Sequence, residues 1–167
     1  MGNVEARICV GEPGSFLDTE IDDFVAFVLA GGEVTASGLR DRVNGASHIA
    51  YARENECLLG VGGLKKPGGT YRRRIEVDSG AEIASENFPF ELGWVFVLPS
   101  ARGRGLSTAL CRALVAPADG KGVFATSRTD NEEMHRTMHK FSFKRVGNAW
   151  PSTENDAELA LFIRDAV

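Results

Sequence analysis

The chain has 167 residues, 43% of them hydrophobic and 25% charged, with a formal net charge of −4. That length suits one domain with a sizeable core, and the ordinary composition is that of a soluble globular chain. The acidic balance argues against a general nucleic-acid or membrane-surface binder, although a local basic pocket stays open. Cys9, Cys57 and Cys111 are scattered and odd in number, so they read as reduced thiols of a cytoplasmic protein. The N-terminal MGNVEARICVGEPG lacks a basic segment followed by an apolar run, and no stretch is long enough to span a bilayer; neither export nor insertion is expected.

In chain order, a short strand at Arg7 to Val10 stops at Gly-Glu-Pro-Gly. Ile21, Phe24, Val25, Val28 and Leu29 recur at helical spacing within Thr19 to Leu29, with Thr19 and Asp22 resembling a capping box and Gly31-Gly32 as the stop. A weaker helix is expected over Val34 to Val43, then strands at His48 to Arg53 and Cys57 to Leu64 around the turn Glu54-Asn55-Glu56. Lys65 to Phe88 shows the least pattern and holds at most a short helix before Asn87. A strand over Glu91 to Leu98 runs into Arg-Gly-Arg-Gly and a helix from Leu106 to Val115. A strand at Val123 to Thr126 and a helix from Asn131 to Lys140 follow, with Asp130 as the expected cap. Phe143 to Val146 and Glu158 to Ile163 read as strands joined by a loop from Trp150 to Asp156. No repeat or linker divides the chain, so 1–167 is expected to be a single domain.

The glycine loop is the most informative feature. A helix starting near Leu106 exposes unpaired N–H groups beside the positive end of its dipole. Gly103 and Gly105 permit turns and close approach, and Arg102 and Arg104 add positive charge. Strand, glycine turn and helix start together make a phosphate cradle; the competing reading is a tight turn with solvated arginines. No lysine stands where a nucleoside-triphosphate loop needs one, and the loop comes too late in the chain for a dinucleotide fingerprint.

Here the sequence resembles the GNAT superfamily of acetyl-CoA-dependent N-acyltransferases. The family motif Arg/Gln-x-x-Gly-x-Gly/Ala is matched by Arg102-Gly103-Arg104-Gly105-Leu106-Ser107 at the arginine and the key glycine; Ser107 departs from the usual residue. Val97-Leu98-Pro99 matches the lead-in. Asn131-x-x-Met134 followed by Lys140-Phe141-Ser142-Phe143 is similar to the family's Asn-x-x-Ala and Lys-Leu-Gly-Phe ending, with Met for Ala and Ser for Gly. The resemblance implies an α/β (α+β) fold: a mixed, mostly antiparallel twisted sheet flanked by helices, with strands 4 and 5 splayed around the cofactor. It also implies acetyl-CoA as cosubstrate and no metal. The N–H groups from Arg104 to Ser107 would hold the pyrophosphate, Val95 and Val97 would pair with the pantetheine arm, and Asn131 would stand on the cofactor's second side.

For the chemistry, a free alkylammonium titrates near ~10, so a base is useful before an amine can attack a thioester. Glu91 stands on the strand before the loop, where several family members carry a catalytic glutamate; the competing reading is a solvated carboxylate at a strand start. Alternation would put Glu91, Gly93, Val95 and Val97 on one face unless a bulge changes the phase. Asp78, Glu82 and Glu86 are weaker candidates. Met138 takes the position where many members place a tyrosine acid, and it cannot donate a proton. His135 and His139 share a helix face and either flank a core stripe of Met134, Met138 and Phe141 or assist the departing thiolate. Their spacing also suits a zinc pair, but no third ligand is evident. Tyr71-Arg72-Arg73-Arg74 reads as a solvated helix face or as a lining of the acceptor site. The expected activity is acetyl transfer to a primary amine of a small molecule or peptide; the contrasting hypothesis is a coenzyme-A-binding module without turnover. Neither the acceptor nor dimerisation, frequent in the family, is decided by the sequence.

Overall fold

The computed structural model describes residues 5–167; residues 1–4, the start of the stretch read for an export leader, lie outside the described residues. Among the described residues, seven strands form one sheet in the order β1-β2-β3-β4-β5-β7-β6. They are β1 (Arg7–Gly11), β2 (His48–Glu54), β3 (Cys57–Lys65), β4 (Phe90–Val97), β5 (Val123–Arg128), β6 (Lys144–Pro151) and β7 (Glu158–Arg164). Every neighbouring pair is antiparallel except β4 and β5, which run parallel. The mixed, mostly antiparallel sheet expected from the sequence is therefore present.

Among the described residues, five α-helices flank the sheet: α1 (Asp18–Ala30), α2 (Leu39–Asn44), α3 (Gly69–Ser79), α4 (Leu106–Val115) and α5 (Glu132–Lys140). Helix α4 buries Leu106, Leu110, Cys111 and Leu114 in a core shared with Leu92 and Val97 of β4 and Met138 of α5. A second core joins Ile21, Phe24 and Val28 of α1 and Leu39 and Val43 of α2 to Tyr51, Val61 and Trp94. The helical stripe in α1 is correct except at Leu29, which is exposed. Its expected cap at Thr19 is corrected as well. Leu17 is the cap residue, and the Glu20 carboxylate accepts from the Leu17 N–H at 3.0 Å. Leucine has no polar atom to return the bond, so only half a capping box forms.

Three other boundaries move for physical reasons. Helix α2 starts at Leu39 instead of Val34 because Gly38 lies in the left-handed region (φ 70°). Helix α3 occupies a full 11 residues of the segment with least pattern. Strand β6 runs through to Pro151, carried past Gly147 (φ 70°) by a register shift, with Trp150 buried inside the stretch read as a loop.

The basic run on α3 is not uniformly solvated. Arg72 is only 7% exposed. Its guanidinium donates to the carbonyls of Pro67 (3.2 Å), Ile83 (3.2 Å), Phe88 (2.6 Å) and Pro89 (2.9 Å) and lies over the Phe124 ring. It thus pins the segment that delivers Phe90 and Glu91 to the sheet. Arg72→Leu strips the donor from several enclosed carbonyls, so the stability loss expected is about 3 kcal/mol. Urea unfolding checks this as a lowered midpoint at unchanged slope.

Candidate active site

The parallel pair β4 and β5 is in register only at Phe90↔Val123 and Glu91↔Phe124, close to the start of both strands. Beyond those pairs the strands part, so a wedge opens toward their C-terminal ends. On the other side of β4, three residues of β3 (Val61 to Gly63) oppose four of β4 (Phe96 to Gly93). This is a bulge, and Trp94 at φ 57° carries it. Gly63 makes it possible. A Cβ there would lie 2.5 Å from Cε3 of Trp94. Gly63→Ala should therefore displace the indole and cost about 1–3 kcal/mol, read from the urea midpoint together with a shifted tryptophan fluorescence maximum.

The bulge corrects the expected face assignment. Val95 and Val97 pack toward the α4 core, whereas Trp94 and Phe96 pack toward the α1–α2 core. Glu91 and Gly93 lie on the Trp94 side: a Cβ on Gly93 would stand 3.6 Å from Glu91 Oε1, and Lys65 caps the same patch. Glu91 therefore does not share a face with Val95 and Val97. All of them nonetheless border one cleft of about 1150 Å³, because the wedge passes through the sheet.

One end of the cleft is the glycine loop. Gly103 (φ 79°) and Gly105 (φ 74°) both adopt left-handed conformations, and a Cβ at either would meet nothing within 4 Å. The glycines serve the turn, and the space beside them is open. Among the described residues, no N–H from Gly103 to Thr108 donates to a backbone carbonyl; the first such bond is Ala109 to Gly105, 3.0 Å. These donors stand at the positive end of α4. Arg102 and Ser107 line the cleft, and the Arg102 Nε donates to the Val97 carbonyl at 3.3 Å, tying loop to strand. Arg104 instead pairs with Glu54, and Leu106 turns into the core. Across the wedge, Asn131, Met134 and Met138 line the other wall. Asn131, not Asp130, caps α5: its Oδ1 accepts from the Met134 N–H at 3.2 Å. Asp130 is engaged by Arg128, whose guanidinium holds the carboxyl below its usual range.

At the other end Glu91 is 2% exposed, which contradicts the picture of a solvated strand-start carboxylate. Its Oε1 accepts from Tyr71 Oη at 3.0 Å and from Lys65 Nζ at 3.2 Å, while Oε2 is buried without a hydrogen-bond partner. The Tyr71 residue is 40% exposed, yet its hydroxyl end is enclosed; burial, reinforced by the Glu91 charge, pushes the phenol well above its ordinary value and keeps it a proton donor. The sequence named Tyr71 only within a charge run, and nothing in it paired Lys65 with Glu91; that needs the register Lys65↔Glu91 between β3 and β4. His139 is exposed. His135 Nε2 lies 2.9 Å from the Arg128 carbonyl, with its ring against Phe162. Neither lines the cleft that Glu91 borders.

A parallel pair prised apart beside an open helix start defines the class: an α/β protein with a cleft off the carboxyl ends of its parted strands. More particularly, the chain belongs to the GNAT acetyltransferase family, whose model matches residues 15–143. The N-alpha-acetyltransferase RimI of Mycobacterium tuberculosis (strain ATCC 25618 / H37Rv) is 28% identical over 108 residues, which cover 65% of this chain and 59% of that protein's length. The fold is shared with YncA of Salmonella typhimurium, solved with its cofactor acetyl-CoA: TM-score 0.66 at 15% identity, covering 96% of this chain and 94% of that one. It is shared too with Naa50 of Arabidopsis thaliana, solved with the bisubstrate analogue CoA-Ac-MVNAL: TM-score 0.65 at 12% identity, covering 95% and 98% of the two chains.

Proposed function

We propose that residues 1–167 form one acetyl-CoA-dependent N-acetyltransferase domain that passes acetyl from the thioester to a primary amine by direct attack. The observation that carries this reading is the single cleft with free backbone donors at one end and a buried carboxylate at the other. The N–H groups of Arg104, Gly105, Leu106 and Ser107 suit a diphosphate, because several donors and the helix dipole converge where no side chain intrudes. Gly103 supplies the turn, and Arg102 adds charge beside Ser107. Val95 and Val97 offer backbone along the edge of β4 that β5 leaves open, the place for a pantetheine arm, and Asn131 closes the far side. Acetyl-CoA, when bound, supplies an activated acyl group and a thiol leaving group.

Glu91 is the base. Tyr71 and Lys65 fix Oε1, and the unpartnered Oε2 keeps lone pairs for a proton arriving with the acceptor. Met138 donates nothing, but a thiol titrates near ~8.5, so coenzyme A leaves tolerably as thiolate. The acceptor is an amine of a small molecule or a peptide. The α-amino group of a peptide is the first to try, because RimI is named an N-alpha-acetyltransferase and the Naa50 ligand joins coenzyme A to a peptide. Cytoplasmic residence fits the free state of Cys9, Cys57 and Cys111 and a described chain with no helix long and apolar enough to cross a membrane.

The test follows thiol release from acetyl-CoA in the presence of short peptides with free N-termini, polyamines and free amino acids. Release that depends on one of these amines supports the proposal. Saturable acetyl-CoA binding without release from any amine would favour a coenzyme-A-binding module.

A further inference from the structure

The surroundings of Lys65 have the chemistry of an amine-binding site. Its ammonium lies 3.2 Å from Glu91 Oε1, 4.9 Å from the Trp94 ring centroid and 5.3 Å from the Tyr71 ring centroid. A carboxylate and two aromatic faces are what a protein uses to hold an alkylammonium. The lysine side chain is 17% exposed and borders the same cleft as Val95, Ser107 and Asn131. On the reading that Glu91 is the base, an amine within hydrogen-bond reach of Glu91 stands where the acceptor's amine stands. The chain places one of its own there.

We infer that Lys65 is itself an acceptor: with acetyl-CoA bound and no other amine present, the protein acetylates Lys65 Nζ in cis, once per chain. The inference rests on the proposed transferase activity. Chemically, Glu91 takes one proton from the ammonium and the neutral nitrogen adds to the thioester carbonyl. As the N–C bond forms, the nitrogen loses a second proton and the C–S bond breaks. The coenzyme A thiolate keeps one of the two protons and the other passes to solvent. The amide formed carries no charge, so it loses its ion pair with Glu91, and the lysine cannot be acetylated again.

Lys66 is the internal control. It is the next residue, it is exposed, and no salt bridge holds it among the described residues. Chemical acetylation by free acetyl-CoA would therefore favour Lys66 over the half-buried Lys65.

The experiment incubates purified protein with acetyl-CoA alone and locates the label by peptide mass mapping, with intact mass giving the stoichiometry. The expected result is one acetyl group on Lys65, none on Lys66, and a rate reduced about 10²-fold in Glu91→Gln. Ser107→Asp, which leaves Lys65 and Glu91 in place but obstructs the cofactor, should also lose the label, so the result does not depend on one variant folding. Lys65→Arg should leave the chain unlabelled while keeping the positive charge. Calorimetry on the same sample reports acetyl-CoA binding, and an added peptide amine reports turnover. An unmodified Lys65 in protein that binds acetyl-CoA and acetylates the peptide overturns the inference and leaves the transferase standing. Equal labelling of Lys65 and Lys66, unaffected by Glu91→Gln, overturns it as chemical acetylation. No binding of acetyl-CoA at all removes both.

Discussion

Glu91→Gln lowers kcat for acetyl transfer by about 10²–10⁴-fold and leaves acetyl-CoA affinity unchanged. Glutamine keeps the size of the side chain and an oxygen for the Tyr71 hydroxyl, but it cannot take a proton. The replaced group is 2% exposed and fixed by two donors, so the change acts on a positioned carboxylate, not on a surface charge. The cofactor end of the cleft lies on the far side of the wedge, which is why binding is spared. Thiol release with whichever amine the protein turns over, measured across pH, checks the prediction. Unchanged turnover at every pH would remove Glu91 as the base.

Ser107→Asp abolishes acetyl-CoA binding without unfolding the protein. Ser107 is the second residue of α4 and lines the cleft. A carboxylate in the first helical turn complements the dipole and adds about 0.3–1 kcal/mol of stability. The same charge faces the diphosphate: at ~4 Å and an effective dielectric near 20, two like charges repel by about 4 kcal/mol, or about 10³-fold in affinity. The predicted signature is a thermal midpoint equal to or above that of the parent, with the calorimetric signal for acetyl-CoA gone. Substitution at Gly105 would be a poorer test, because φ 74° strains any side chain there and confounds folding with binding. Retained affinity in Ser107→Asp would place the diphosphate elsewhere.

What the sequence disclosed was local, and what it concealed depended on partners distant along the chain. Arg102 to Ser107 and Asn131 to Phe143 are contiguous patterns that can be read directly, and both contribute residues to the cleft in the fold, although the cap of α5 is Asn131 and not the expected Asp130. The phase of β4 could not be read, because alternation past Gly93 is broken by Trp94, and Trp94 can take its bulged position only where Gly63 on β3 leaves room. Lys65 and Tyr71 escaped for the same reason: they meet Glu91 through strand register and the docking of α3. Arg72 looked like one of three solvated arginines. Its burial is set by carbonyls from Pro67 to Pro89 that composition does not reveal. The expected strand ends at Val146, whereas the protein carries β6 past Gly147 through a register irregularity and buries Trp150, which no local pattern marks.

The central claim is that the open amides of the glycine loop and the parted edge of β4 receive acetyl-CoA. Amide hydrogen exchange with and without acetyl-CoA tests it residue by residue. The account predicts slowed exchange at Arg104 to Ser107 and at Val95 to Val97, with the outer strands β1 and β6 unaffected. Saturable binding that leaves those amides exchanging at their free rate would contradict it.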